Sequence, residues 1–270
     1  MIYWLLIALI FIFGLTIGSF INALEYRIDS ELSILKGRSI CPKCKKQLKW
    51  YENIPVLSFL FLEGKCGHCK EPISWQYPIV ELLTGFSFVA GFWKLGVLTD
   101  TISIFSHLIL YFIFSILILV ALHDQKTSYV LSAYVYAAII SVVIYLLVTY
   151  TGVWEIKNIW LYLLPNLASA LIAASPFAIL YIFSKGAWMG AGDIEVAVLL
   201  GFLLGWPNFL IALYFAFIVG SLWGIIKVYM LKNAKLKSEL PFAPFLIAGT
   251  FFAFLFAEQL VSLYVKIFLG

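Results

Sequence analysis

Two carboxylic acids and four thiols stand out in a chain of 270 residues that is 63% hydrophobic and only 12% charged. Asp193 closes the run Gly190-Ala191-Gly192-Asp193, and Asp124 follows a long apolar stretch. A carboxylate at the margin of a bilayer is costly to keep and marks a functional position by default. Two carboxyls sharing one site do not both ionise readily; one keeps its proton while the other stays charged. The charged member can take a proton from water, and the protonated member can hydrogen-bond a carbonyl oxygen. Such a pair directs water at a carbonyl with no covalent intermediate. The titration belongs to the pair, so neither role is assigned to one residue. Gly190 and Gly192 allow close backbone approach ahead of the acid. A helix starting there favours an ionised Asp193 through its dipole. Taken singly, each acid also fits an interfacial helix end, where Asp is an ordinary N-cap.

The four cysteines all lie in one segment. Cys41-Pro-Lys-Cys44 is followed, after 21 residues, by Cys66-Gly-His-Cys69. Paired CxxC knuckles at this separation predict a tetrahedral, structural Zn2+ site with no open position for catalysis. Two disulfides are the alternative, and a cytoplasmic loop, which sits in a reducing compartment, argues against them. His68 is read as a solvated knuckle residue, since four thiolates already complete the shell. Lys43, Lys45, Lys46 and Lys49 can stabilise the thiolates and touch anionic lipid headgroups.

The elements that must position these groups are apolar helices. Eight spans are expected, at roughly 2–23, 77–96, 101–122, 129–150, 159–183, 194–207, 208–231 and 243–265. The fold class is therefore all-α: a polytopic transmembrane helical bundle with a small zinc-bound cytoplasmic loop domain. The first run has no basic residue before it and no small-residue cleavage site, so it reads as a retained span. Three regions follow: the first span at 1–25, a four-cysteine module at 26–76, and a membrane-embedded core at 77–270. With the 26–76 loop in the cytoplasm, 15 of the 18 basic residues fall on that side, Lys126, Lys185, Lys227, Lys232, Lys235 and Lys237 among them. Only Lys94, Lys157 and Lys266 fall outside, so the positive-inside rule sets this orientation, with both termini outward. Asp124, just past the inner end of the third span, and Asp193, just before the sixth, share one face at one depth.

Other polar positions carry less. Glu81, about one turn inside the second span, is a substrate or supporting candidate by its depth. Glu195 lies two residues past Asp193 and is read as lining the same region. Asp100 reads as a helix cap, Ser19 and Asn22 as interhelical hydrogen-bonding groups, and Pro241-Phe242-Ala243-Pro244 as shaping the start of the last span. The 18% aromatic content fits lipid-facing surface and interface belts. No nucleic-acid partner is expected from so small a net charge.

These residues together resemble the bacterial type IV prepilin leader peptidases, GxGD-type aspartic proteases of the inner membrane. The match spans nearly the full chain. It includes Gly18-Ser19-Phe20-Ile21-Asn22 with Tyr26-Arg27, both knuckles, Asn53-Ile54-Pro55 and Ser58, Tyr77-Pro78-Ile79-Val80-Glu81, Asp124, Gly190-Ala191-Gly192-Asp193 and the Pro-Phe-Ala-Pro segment. The resemblance implies prepilin or pseudopilin precursors as substrates, cut after a glycine on the cytoplasmic side. Many members also methylate the new N-terminus with S-adenosylmethionine through the cysteine-bearing region, which is retained here. Three positions depart from the family pattern. Val130-Leu131-Ser132 stands where Leu-Pro-Asp often follows the first acid, Glu195 where Lys is frequent, and Ile28-Asp29 where a proline is common. Two rival readings share parts of the pattern: a presenilin-like intramembrane protease, and a non-enzymatic membrane scaffold that recruits partners through its zinc loop.

Overall fold

The computed structural model describes residues 2–34, 37–151, 159–230 and 241–268. Lys157, Lys232, Lys235 and Lys237, used above for orientation, lie outside them. The described residues form α1 (Ile2–Asp29), α2 (Leu57–Phe61), α3 (Gln76–Leu95), α4 (Thr101–Thr127), α5 (Ser132–Thr151), α6 (Ile159–Ser184), α7 (Ala191–Leu204), α8 (Asn208–Met230) and α9 (Ala243–Phe268), plus one turn of 3-10 helix at Trp50–Asn53. Among them are no strands, only two isolated antiparallel bridges in the cysteine segment.

Seven helices are long and apolar enough to cross a membrane: α1, α3, α4, α5, α6, α8 and α9. The chain is a multi-pass membrane protein. The sixth of the eight expected spans differs. α7 has 14 residues, about 21 Å of helix against a hydrocarbon core of about 30 Å. Gly205 stops it in the left-handed region at φ 67°, and Pro207, lacking an N–H, does not continue it. Two other helices outrun their apolar stretches. α1 continues to Asp29, where the Arg27 guanidinium donates to the carbonyls of Ile34 and Gly37 at 2.8 Å each. α4 continues to Thr127 and begins with Asp100 as a true cap, its Oδ1 accepting from the Ser103 N–H at 2.8 Å.

The chain divides into two compact units, Met1–Val97 and Leu98–Gly270. The boundary falls after α3 because α1 and α3 pack along their lengths on either side of the polar loop. A Cβ on Gly14 would lie 2.7 Å from the Gly85 Cα, and one on Gly18 would lie 2.6 Å from the Glu81 Cα. These glycines, four residues apart, let the two backbones touch, as small residues do between membrane helices. In the second unit α4 is the most buried span. It packs on α5 and α9, while α7 is held among α5, α6 and α9, and α8 pairs with α9.

Candidate functional site

Asp124 lies inside the last turn of α4, not beyond it, because the helix runs on to a left-handed cap at Ser128 whose N–H returns to the Asp124 carbonyl at 2.8 Å. Its side chain is buried, and Oδ2 has no hydrogen-bond partner among the described residues. Asp193 is the third residue of α7, outside the seven spans. The two carboxyls are close enough to feel each other. Burial first, and then the neighbouring Asp124 carboxyl, push Asp193 up to about 7. A group so placed is about half protonated near neutral pH, which suits a pair sharing one proton.

Gly192 explains the approach of the two acids. A Cβ there would run into the side chain of Val130, which is buried in the turn between α4 and α5. The missing methyl lets the start of α7 close on the turn just past Asp124. Gly190 differs: its φ is −76°, and an added Cβ would meet nothing nearer than the Gly192 nitrogen at 4.0 Å. Its freedom is not used for space.

The sequence reading missed Ala243. Its backbone N–H faces the Asp124 carboxyl, so the Pro-Phe-Ala-Pro segment does more than shape the start of α9. A helix begins with unsatisfied N–H donors, and α9 presents one to a buried acid. The signal was present in the form of a proline in the first helical turn, which fixes a helix start. Glu195 has a partner of its own. Residues two apart on a helix face nearly opposite ways, and Glu195 Oε1 accepts a 2.8 Å hydrogen bond from the Tyr136 hydroxyl on α5. Its Oε2 is buried with no partner among the described residues.

The first unit uses its polar groups differently. Glu81 is buried, and its Oε2 accepts the Val56 N–H at 2.7 Å, with the Ser19 hydroxyl also at the carboxyl. Val56 has φ 60° and ψ −48°, a backbone state that a β-branched residue adopts only when its surroundings impose it. Glu81 thus clamps a strained turn of the polar loop. Asn22 bridges α1 to α3: Nδ2 donates to the Tyr77 carbonyl at 3.2 Å, and Oδ1 accepts from Gln76 Nε2 at 3.1 Å. Glu25, fully buried near Tyr77, was not singled out from sequence. Its place at the end of an apolar run gave no sign that α3 would cover it.

The four cysteines come together. Their sulfurs all lie within 4.8 Å of one another, and none is in a disulfide. Tetrahedral thiolates 2.3 Å from zinc stand about 3.8 Å apart, so the cluster has the dimensions and the soft donors for that ion. The two knuckles are copies. Cys41 N–H bonds the Lys46 carbonyl as Cys66 N–H bonds that of Glu71. Lys45 and Lys70 both sit at positive φ, and the bridges Ile40–Gln47 and Lys65–Pro72 correspond at the same offset of 25 residues. The backbone N–H of Cys69, ahead of other causes, draws the Cys66 thiol down to about 7, whereas burial raises Cys41 and, with the neighbouring thiols, Cys69. His68 stays out of the cluster and faces Glu52 at 3.9 Å. Lys45 ties the first knuckle to α1 by donating to the Tyr26 hydroxyl at 2.8 Å.

Comparison with known proteins agrees along the chain. Residues 12–95 match the Bacterial Peptidase A24 N-terminal domain, and residues 111–225 match the Type IV leader peptidase family. A prepilin leader peptidase/N-methyltransferase of Bacillus subtilis is 32% identical, over 98% of this chain and 100% of its own. A protein of the same name from Aeromonas hydrophila is 28% identical over 98% of this chain and 96% of its own. Another from Vibrio cholerae is 32% identical over 72% and 76%. No solved structure matches the chain.

Proposed function

This chain belongs to the type IV leader peptidase family, and we propose that it cleaves the short basic leader from type IV prepilins and prepilin-like proteins with Asp124 and Asp193 as the catalytic pair. The observation that carries this reading is the buried, unpartnered Oδ2 of Asp124 within reach of an Asp193 that is protonated up to about 7. A single proton on two neighbouring acids suits water activation. The ionised carboxylate takes a proton from water as the water oxygen bonds to the scissile carbonyl carbon. The protonated partner hydrogen-bonds the carbonyl oxygen as it gains charge. Collapse of that tetrahedral species breaks the C–N bond, and the leaving amine takes a proton from the pair. The Ala243 N–H steadies the ionised form of Asp124.

The membrane is the bacterial inner membrane, with the acids at its cytoplasmic face and the N-terminus outside; the distribution of Lys and Arg supports this orientation. Cys41, Cys44, Cys66 and Cys69 hold a structural zinc, supported by the spacing of their sulfurs. Bound there, zinc links the two knuckles. The relatives' names pair the peptidase with an N-methyltransferase, and the same chemistry here takes S-adenosylmethionine and the freed N-terminus as its substrates. Glu81 acts as a support for the polar loop, and Gly192 as the spacer that brings α7 to Asp124.

Co-expression with a prepilin tests the central reading. The parent should convert the precursor to the shorter form, and Asp124→Asn or Asp193→Asn should each lower the rate by about 10³-fold or more. Conversion that survives both substitutions would remove the acid pair from the mechanism. The N-terminal mass of the product reports the cut site and the methyl group together.

A further inference from the structure

α2 is a short helix with a divided surface. Phe59 turns inward, 8% exposed, with its ring 4.8 Å from that of Trp75. Leu57, Leu60 and Phe61, at spacings of three and four, share the opposite face and are 49%, 61% and 81% exposed. A cytoplasmic loop seldom leaves such a cluster in water, since contiguous apolar surface marks an interaction site.

The clamp at Glu81 fixes the depth of this face. Glu81 lies five residues into α3, about 7.5 Å along the helix axis from its start. Its carboxylate holds the N–H of Val56, the residue just before α2. The loop therefore dips beside the second turn of a spanning helix instead of standing clear of it. Interfacial helices bury their apolar face about 5–10 Å into the headgroup and acyl boundary, the depth at which α2 begins. Trp50 and Trp75, both largely exposed, flank the segment, and indole rings favour that boundary. Lys49 and Lys65 bracket it in sequence, where ammonium groups can meet anionic headgroups.

We propose that the outer face of α2, formed by Leu57, Leu60 and Phe61, is seated in the lipid interface of the membrane that α1 and α3 cross, so that the cysteine module lies on the bilayer. The loop is then a membrane-surface device anchored at three places: α1, α3 and α2. This seat is independent of the acid pair, and its test does not pass through cleavage.

The full chain is placed in nanodiscs of phosphatidylglycerol and phosphatidylethanolamine, with the photo-crosslinking residue p-benzoylphenylalanine replacing Phe61. A second preparation carries it at Leu60, and a control carries it at Phe59, on the inner face of the same helix. Mass spectrometry after illumination should find lipid adducts several-fold more abundant at positions 61 and 60 than at 59. Equal and low adduct at all three positions would overturn the proposal. So would adducts at 60 and 61 that move from lipid to a co-reconstituted prepilin, since the face would then be a protein-docking surface.

Discussion

Two buried acids, Glu81 in the first unit and Asp124 in the second, are held in opposite ways. In the first, Glu81 is closed: its carboxylate takes the Val56 N–H at 2.7 Å, with the Ser19 hydroxyl beside it. In the second, Asp124 is open: one oxygen is buried with no partner among the described residues, and a second acid stands close by. A closed acid stabilises a fold, because each donor it satisfies would otherwise cost free energy to bury. An open acid costs the fold stability and is kept where chemistry repays it. The same chemical group thus holds a turn in one unit and, under the proposed function, supplies the reactive centre in the other.

This contrast can be broken in order of expected effect. Stripping metal with a chelator, or by Cys41→Ser, should have the largest consequence, since structural zinc contributes about 10–16 kcal/mol to small thiolate sites. Metal content should fall from about one zinc per chain to none, and residues 37–74 should become sensitive to protease while Leu98–Gly270 stays resistant. Retention of a protease-resistant loop in the metal-free protein would show that the first unit is not metal-built. Next comes pH. Asp193 keeps its proton up to about 7, so the pair loses its shared proton as pH rises through that value. Cleavage should then fall by about tenfold per pH unit on the alkaline side. A rate that climbs instead would mean the doubly ionised pair is active.

Smaller effects sharpen the comparison. Glu81→Leu removes an acceptor from a charge-assisted bond and should cost about 1.5–3 kcal/mol. Hydrogen exchange should rise at residues 54–61 and leave the knuckles protected; unchanged exchange there would deny Glu81 its role as a clamp. The glycines give the finest test. Gly192→Ala overpacks against Val130 and should cost about 1–3 kcal/mol together with much of the cleavage activity. Gly190→Ala, with open space around it, should stay within about 0.5 kcal/mol of the parent. Equal losses at both positions would assign the glycines a role other than spacing.

Much of this arrangement can be read from residue order. Apolar runs mark the spans because a bilayer demands length, and the parity of spans between Asp124 and Asp193 predicts them as neighbours, in keeping with the Asp124 carboxyl acting on Asp193. The CxxC spacing announces the thiol cluster because ligand geometry is local. Three features resist such reading. The length of α7 depends on a break at Gly205 that an apolar window passes over. The Val56 N–H at Glu81 and the Ala243 N–H at Asp124 are long-range backbone contacts, and side-chain patterns carry no record of where a remote amide will point. Gly14 and Gly18 did hold a legible signal, the four-residue spacing of small residues, which announces that a helix will be approached closely without saying by which partner.

The 25-residue correspondence between the knuckles has a mechanical consequence. Each half keeps its own turn, its own bridge and two of the four sulfurs, so an ion held by all four would join the halves. Taking the ion away removes the one tie common to both halves. Neither half has a core to fall back on, since Cys41, Phe59 and Cys66 are the buried residues of the segment, so the module behaves as a clasp: ordered when metal closes it, loose chain without metal, and able to re-form when metal returns.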